Sequence, residues 1–328
     1  METLALLEKE AHIKGGALEN KKFDQLLERF SKSTDEIIRK GQEFTDELTQ
    51  SLVVAKEIKS EFRSRLLRWR FTNPFMRRCI EKPRGFPGDY LTLEMMYGYT
   101  PQFGEGLAGF FDYYLLSHST AVRSRLEKME GILVEVASSA KRFGKSLKVL
   151  SLGSGPCREW FDLDRKGIKR KRRLSAVQLV CFDRDEKALE FGLARLRKTS
   201  LSVTPFLLNR SLFNFPTIEL KHLGPFDLIY ALGIADYFYD ASLGKIFSNA
   251  LQLLGQDGTL ILTHKDKDRF NLSPSDWLCD WRFVMRGERD FVSLVEIELA
   301  SSKIARYKMT IERDSKGLII FCIIRRIG

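Results

Sequence analysis

The spacing of apolar residues predicts a helical first part of the chain. In residues 1–70, apolar side chains recur at helical intervals with charged residues between them, which is typical of amphipathic helices. The clearest stripe contains Ile37, Phe44, Leu48, Leu52, Ala55, Ile58, Phe62 and Leu66. The segment Ser33–Glu36 supplies capping residues, so we expect the helix that carries this stripe to begin there.

The pattern changes from about residue 71. Prolines and glycines cluster between Lys82 and Tyr90, which predicts a loop with special backbone geometry. Short helices are expected at Leu91–Tyr97, Phe110–Leu116 and Ala121–Ala137.

From residue 148 onwards, apolar runs and helical stretches alternate. The expected strands are Val149–Leu152, Gln178–Phe182, Phe206–Leu208, Phe226–Leu232 and Gly258–Thr263, the last after a turn at Gly255–Gly258. Expected helices between them include Glu186–Arg197 and Leu243–Leu254. Such alternation indicates βαβ units and a parallel sheet. A turn at Asp314–Gly317 separates Tyr307–Glu312 from Leu318–Arg325, which predicts an antiparallel C-terminal hairpin.

These patterns predict an α/β fold with two domains. We expect a helical domain at residues 1–145, which forms a substrate lid or cap from about residue 71. A Rossmann-like domain with a seven-stranded, mostly parallel sheet is expected at residues 146–328. This combination of parallel sheet and terminal hairpin is typical of class I methyltransferases, which use S-adenosylmethionine (SAM).

Charge and cysteine usage narrow the classes of partner and location. The net charge is +11, and the run Arg165–Arg173 holds seven of the positive charges. This run is either a solvated surface loop or a patch for phosphate or anionic lipid. The five cysteines show no spacing typical of a metal site or disulfide scaffold, so we expect no metal. With neither a signal peptide nor a transmembrane segment in the sequence, a cytoplasmic location is expected.

The candidate cofactor site begins where the first strand ends, at Ser151–Cys157. Gly153 and Gly155 lack Cβ atoms, so a ligand can approach the backbone there closely. The second strand ends at Asp183, whose carboxylate can accept both hydroxyl protons of a ribose. A dinucleotide fingerprint requires glycine at the position of Arg158, so the loop favours SAM over a dinucleotide.

Later strand ends supply further candidates, because ligands of open α/β sheets bind beyond the carboxyl ends of the strands. Asn209 or Ser211 is expected to hydrogen-bond the adenine, or to be an ordinary loop residue. After the fourth strand, Gly233, Asp236 and Tyr237 are expected where methyl donor and acceptor meet, or else to form a turn and a helix start.

Several segments together resemble the bacterial family of extracellular-factor 3-hydroxypalmitic acid methyl ester synthases. The matching segments are the K-P-R-G-[YF]-x-G-D-like loop Lys82–Asp89, His118 with Ala121–Arg125, Gly153–Glu159, Gly233–Tyr237, and Asp280–Trp281 with Arg286. The resemblance covers the chain from about residue 75 to its end. It implies methyl transfer from SAM to the carboxyl group of a fatty acid or similar small acceptor with an apolar chain.

The same resemblance directs attention to candidate catalytic residues. Arg84 either pairs with an acceptor carboxylate or braces its own loop, and Asp89 and Tyr90 either orient the acceptor or cover SAM. His118 is either a base or hydrogen-bond donor, or a structural residue. The aromatic segment Phe103–Tyr114 is expected to form part of an acyl tunnel.

Three alternatives remain open on the sequence. The chain is a nucleic-acid methyltransferase that uses the basic run, a natural-product methyltransferase, or a SAM-binding protein without catalysis. The first lacks an N-P-P-[YF]-type motif after the fourth strand, where the chain has Ala235–Phe238 instead.

Overall fold

The computed structural model describes residue 7 and residues 20–48, 52–66, 74–98, 107–166, 174–215, 217–302, 304 and 306–327. Most of the basic run at 165–173 and the first part of the aromatic segment at 103–114 lie outside these residues. The chain divides into two compact units. The first consists of Met1–Val122 with Asn271–Arg282, and the second of Arg123–Phe270 with Phe283–Gly328.

The helices include those predicted at 91–97, 110–116, 121–137, 186–197 and 243–254, and further ones that were not predicted. They are α1 (Asn20–Leu48), α2 (Leu52–Arg65), α3 (Pro74–Glu81), α4 (Tyr90–Gly98), α5 (Leu107–His118), α6 (Thr120–Arg142), α7 (Arg158–Arg165), α8 (Glu186–Leu196), α9 (Thr217–Leu223), α10 (Asp240–Leu253), α11 (Ser273–Cys279) and α12 (Glu288–Ser301). Among these, α1–α5 and α11 belong to the first unit, and α7–α10 and α12 to the second. No helix of the described residues is long and apolar enough to cross a membrane.

The start of the first predicted helix is wrong. Helix α1 begins at least thirteen residues before Ser33, and its buried face is formed by Leu26, Phe30, Thr34, Ile38 and Thr45. Phe44, which was expected to lie in the apolar stripe, is 52% exposed. Residues four positions apart lie on one face of a helix. Leu26, Phe30 and Thr34 have this spacing, so the buried face begins before Ser33 and continues through Ser33–Glu36. Threonine is tolerated inside a helix, so capping residues alone do not define its start.

The second unit is built on a seven-stranded sheet. Its strands are β1 (Leu147–Leu152), β2 (Val177–Asp183), β3 (Val203–Asn209), β4 (Phe226–Ala231), β5 (Leu254–Lys265), β6 (Tyr307–Arg313) and β7 (Ile319–Arg326). Their spatial order is β3-β2-β1-β4-β5-β7-β6. Strands β1–β5 pair in parallel, whereas β7 pairs antiparallel with both β5 and β6.

This topology confirms the predicted fold class. The order 3-2-1-4-5 is that of the doubly wound Rossmann sheet, and the hairpin β6–β7 completes the Rossmann-like class I methyltransferase fold. The expected turn at Gly255–Gly258 is instead an irregularity inside β5, where the register against β4 shifts. Both Gly255 and Gly258 would bring a Cβ close to the backbone oxygen of Phe226, so glycine lets β5 continue past β4 there.

The central strands are apolar because helices cover both faces of a parallel sheet. Leu150, Ile229 and Leu260, on three adjacent strands, are fully buried in the main core cluster. Apolar side chains of α10 and α12 pack into the same cluster, including Phe247, Phe291 and Val295. Since packing fixes the middle of each strand, the loops at the strand ends are held in a defined position.

Candidate functional site

The loop after β1 has a backbone that favours glycine at two positions. Gly153 and Gly155 have φ angles of 63° and 50°, in the left-handed region. A Cβ built at Gly153 would lie 2.3 Å from Cγ2 of Ile234, whereas one at Gly155 would meet nothing within 4 Å. Gly153 is therefore required by close packing, and Gly155 leaves open space where a ligand can approach the backbone.

A third left-handed position in this loop is occupied by Cys157. Its φ angle is 50°, a conformation that glycine adopts more readily than cysteine. The Cys157 Sγ lies 3.1 Å from Sγ of Cys181 on β2, and both thiols are free and buried. The contact with Cys181, together with burial, raises the pKa of Cys157, so this thiol is a packing group rather than a nucleophile.

Asp183 ends β2 and meets the glycine loop directly. Its Oδ2 accepts a hydrogen bond of 2.7 Å from the backbone N–H of Gly155, and its Oδ1 accepts one of 2.8 Å from that of Asp185. Burial raises the pKa of Asp183, although the N–H groups of Asp185 and Gly155 favour its charged form. Each carboxylate oxygen retains a second lone pair, so both can still accept a ribose hydroxyl.

Beneath the loop lies a buried polar network. Tyr230 on β4 donates its hydroxyl hydrogen to Oε1 of Glu159, and its oxygen accepts a hydrogen bond of 2.9 Å from Nε1 of Trp160. Ser151, which is 1% exposed, is the register partner of Tyr230 on the adjacent strand β1. Burial raises the pKa of Glu159 to about 7, and the hydrogen bond from Tyr230 opposes this shift. The network anchors the start of α7 on the sheet.

The two adenine candidates occupy the turn after β3. Asn209 Nδ2 donates to the backbone oxygen of Asp183 at 3.1 Å, so it lies beside the candidate ribose ligand. Ser211 Oγ accepts a hydrogen bond of 3.3 Å from the N–H of Phe213 and caps the short helical turn Leu212–Asn214. Both residues thus shape the same loop next to Asp183.

Gly233 follows β4 and lies next to the glycine loop through its neighbour Ile234. Its φ angle is 77°. Thr263 on β5 fixes this turn, because its hydroxyl accepts a hydrogen bond of 3.0 Å from the Gly233 N–H and donates one of 3.2 Å to Ala231. Tyr237 is 43% exposed, and its ring centroid lies 5.4 Å from that of Phe283.

Asp236 is completely buried and joins the ends of β4 and β5. Its Oδ2 lies 2.5 Å from Nζ of Lys265, and its Oδ1 lies 2.9 Å from Nδ1 of His264. The His264 Nε2 accepts a hydrogen bond of 3.0 Å from the Arg286 N–H, so the neutral ring carries its proton on Nδ1, facing Asp236. Burial opposes ionisation of Asp236, but Lys265 and His264 hold its pKa below the ordinary value.

The other four catalytic candidates lie in the first unit. The Asp89 carboxylate is fully buried, bonds Arg78 at 2.6 Å, and caps α4 by accepting from the N–H groups of Leu91 and Thr92. The Arg84 guanidinium lies 5.3 Å from the ring centroid of Tyr90. His118 Nδ1 lies 2.7 Å from the carbonyl oxygen of Tyr114. Asp89 thus has a clear structural role, and Arg84 and Tyr90 contact each other.

Sequence reasoning missed three buried charged residues of the second unit. Glu159 and Arg125 entered the sequence predictions only as members of the segments Gly153–Glu159 and Ala121–Arg125, and Lys265 did not enter them. The signal available was their position next to a strand end or a motif. Within the part of the chain that the structure describes, no group of three His, Cys, Asp or Glu residues is placed to hold a metal ion.

Comparisons with known proteins add information on the fold. No protein-family model and no curated protein matches the sequence. A solved structure described as a possible exported protein from Bordetella parapertussis is 18% identical, with a TM-score of 0.54 over 73% of this chain and 80% of that chain. This likeness supports the fold.

Two further solved structures are methyltransferases. Magnesium protoporphyrin IX methyltransferase from Synechocystis PCC 6803, with bound SAM, is 16% identical over 64% of this chain and 83% of its own, with a TM-score of 0.41. The 1,6-didemethyltoxoflavin-N1-methyltransferase from Burkholderia thailandensis, with bound 1,6-didemethyltoxoflavin and S-adenosylhomocysteine, is 14% identical over 66% of this chain and 90% of its own, with a TM-score of 0.40.

Proposed function

We propose that this chain is a SAM-dependent methyltransferase that methylates the carboxyl group of a fatty acid or a similar small acceptor with an apolar chain. The observation that carries the cofactor assignment is the 2.7 Å hydrogen bond between Gly155 and Asp183 at the carboxyl edge of the sheet. This bond brings together the backbone of Gly155, which has open space beside it, and the carboxylate of Asp183, whose oxygens can accept further hydrogen bonds. Those are the features that an adenosyl group requires.

The residues of the second unit fit SAM in the following way. Asp183 is expected to accept the ribose hydroxyls, and the open side of Gly155 to admit the ligand against the loop backbone. Asn209, which donates to the backbone oxygen of Asp183, and Ser211 in the same loop are expected to contact the base. Gly233, Asp236 and Tyr237 follow β4, on the side where the acceptor is expected.

The chemistry requires little from the protein beyond alignment and exclusion of water. SAM supplies a methyl group already activated by its sulfonium. A carboxylate oxygen of the acceptor forms the new O–CH3 bond as the S–CH3 bond breaks, and the bonding electron pair remains on sulfur. The acceptor is ionised at neutral pH, so no general base is needed. Arg84, Tyr90 and His118 are proposed to orient the acceptor rather than to remove a proton, and the buried Asp89 to support them by capping α4.

The cofactor part is tested by calorimetric titration with S-adenosylhomocysteine. Asp183→Ala should weaken binding by about 10- to 100-fold, because hydrogen bonds to a charged group contribute about 1.5–3 kcal/mol. Glu190→Gln removes an exposed carboxylate from α8 and serves as the control. Equal affinity of Asp183→Ala and the native chain would exclude Asp183 from the ribose site.

The acceptor part is tested with methyl-labelled SAM and saturated fatty acids of increasing chain length. We expect labelled methyl esters from the acids and no labelled product from fatty alcohols of the same lengths, because an alcohol needs a base that a carboxylate does not. If no acid of any length is labelled although SAM binds, the carboxyl assignment fails while the cofactor assignment stands.

A further inference from the structure

Arg125 on α6 is a buried cation for which the described chain provides no counter-ion in contact. The residue is 5% exposed. Among the described residues it makes neither a hydrogen bond nor an ion pair. Buried charges in proteins are normally paired, since an isolated charge loses its hydration without compensation. None of its nitrogens is fully enclosed without a partner, so the guanidinium donors can be reached by a ligand from outside the chain.

The guanidinium lies at the carboxyl edge of the sheet. A Cβ built at Gly233 would be 2.0 Å from Nη1 of Arg125 and 3.0 Å from Nη2, so the planar group packs directly on this glycine after β4. The next residue, Ile234, is the one that Gly153 of the loop after β1 contacts. Arg125 is thus next to the candidate cofactor loop, on the edge where ligands of such sheets bind.

Of the cations Arg125 and Lys265, only the Arg125 guanidinium has no counter-ion in contact among the described residues. Lys265, at the end of β5, is close enough to Arg125 for the two charges to repel, but its ammonium is neutralised by Asp236 at 2.5 Å. The Glu159 carboxylate attracts Arg125 through space without touching it, and its Oε1 already accepts the Tyr230 hydroxyl. The five N–H donors of Arg125 therefore remain available.

We infer that Arg125 binds the carboxylate of a ligand at the junction of the β1 and β4 loops. A planar guanidinium matches a carboxylate with two parallel hydrogen bonds, and Gly233 allows the approach because it has no side chain. The carboxylate belongs either to the methionine part of SAM or to the acid acceptor. This inference rests on the proposed function, and it assigns to Arg125 a binding role rather than a catalytic one.

The test compares two adenosyl ligands. S-Adenosylhomocysteine carries the amino-acid carboxylate, and 5′-methylthioadenosine lacks it. For a carboxylate of the cofactor, Arg125→Met should weaken S-adenosylhomocysteine binding by about 10- to 100-fold, as expected for a charge-assisted pair. The affinity for 5′-methylthioadenosine should stay within a factor of about 3. Lys128→Met, one turn further along α6 and paired with Glu312, is the matched control.

A second pair of measurements identifies the source of the carboxylate. If Arg125→Met binds both adenosyl ligands normally but no longer binds dodecanoate, Arg125 holds the acceptor carboxylate, and the inference stands. Arg125→Lys keeps the charge without the planar fork, and it should recover part of the lost affinity while preserving the fold. Thermal melting of each variant shows that it is folded.

The failures of the two proposals are distinguishable. Native protein that binds neither adenosyl ligand contradicts the proposed function, and the dodecanoate measurement still decides the role of Arg125. If Arg125→Met folds and binds S-adenosylhomocysteine and dodecanoate as the native protein does, Arg125 binds no carboxylate and the inference is overturned.

Discussion

At the scale of the residue, the two glycines of the loop after β1 serve different purposes. Both have positive φ angles, so both favour glycine for conformational reasons. Only Gly153 faces a neighbour, because its Cβ would overlap Ile234, while the corresponding space at Gly155 is open. One glycine therefore permits packing, and the other permits ligand approach.

This difference predicts separate effects of alanine substitution. Gly153→Ala should lower the free energy of unfolding by about 2–4 kcal/mol, from left-handed strain and overpacking together. Gly155→Ala should cost about 1–2 kcal/mol, yet weaken binding of S-adenosylhomocysteine. Chemical denaturation and calorimetry measure the two effects. Gly131→Ala, at an exposed position of α6 with no close neighbour, should not destabilise and serves as the control.

Glu159 predicts a dependence of stability on pH. Burial raises its pKa from 4.5 to about 7, so between these values the folded chain holds a proton that the unfolded chain has released. Its contribution to the free energy of unfolding is therefore greatest below pH 4.5 and falls as pH rises to about 7. Glu159→Gln keeps an oxygen that accepts from Tyr230 but does not titrate. The variant should therefore lack this decrease in the free energy of unfolding, which is on the order of 1–3 kcal/mol.

The measurement is chemical denaturation of the native chain and Glu159→Gln at several pH values. The stability difference between them should change in favour of the variant from pH 5 to pH 7.5. If the stability difference stays constant across this interval, the pKa of Glu159 is the same in the folded and the unfolded chain, and the prediction is wrong. Glu190→Gln controls for the loss of one carboxylate from the surface of the second unit.

At the scale of the element, the ends of β4 and β5 are coupled by a buried charge pair. Asp236 follows β4 and Lys265 ends β5. The Lys265 Nζ lies 2.5 Å from Asp236 Oδ2, and the Lys265 backbone N–H donates a hydrogen bond of 2.9 Å to Asp236 Oδ1. The sequence predicted β4 closely and the second half of β5, although β5 begins four residues before its predicted start. It did not predict this pair, because the two residues are adjacent only after β4 and β5 have come together in the sheet.

Breaking this pair should be costly, and removing both charges less so. Asp236→Asn should lower the free energy of unfolding by about 3–5 kcal/mol, since the buried Lys265 ammonium loses its counter-ion. The double variant Asp236→Asn with Lys265→Met should be more stable than Asp236→Asn alone. Denaturation of the two single variants and the double variant measures the coupling. Additive effects would contradict a direct interaction.

At the scale of the whole molecule, the two units interleave along the chain. The second unit consists of two segments, separated by residues 271–282, which belong to the first unit. In those residues, Trp277 is 2% exposed, donates from Nε1 to Gln42 at 3.0 Å, and packs edge-on against Phe62. These contacts place Trp277 in the core of the first unit.

Every residue of the main core cluster comes from the second unit. A chain of residues 123–270 joined to 283–328 should therefore fold cooperatively by itself. The rings of Phe270 and Phe283 lie 6.4 Å apart, so a linker of about five glycine and serine residues spans the junction. Circular dichroism with thermal melting measures this. The same chain without residues 315–328 lacks the buried strand β7 and should not fold, whereas failure of the complete joined chain would contradict independence of the unit.

The local sequence determined the class of fold and the positions of the strand ends. Apolar runs bounded by glycine and aspartate specify buried strands and tight turns within a few residues, so β1, β2 and the hairpin β6–β7 were predicted closely. The same local signals placed Gly153, Gly155 and Asp183 at adjacent strand ends. The first helix was predicted less well, because a helix continues as long as its buried face does, whatever capping residues it contains.

Only the tertiary structure decided which polar groups have partners. Asp89 and Arg78, Glu159 and Tyr230, and Arg125 and Gly233 are brought together by packing between elements, and no spacing in the sequence encodes their distances. Burial is likewise a property of the assembled core, and it is burial that raises the pKa of Glu159 and leaves the charge of Arg125 in need of a partner. The sequence therefore specifies where the strand ends and the glycine turns lie, and the packing specifies which charged groups come together there.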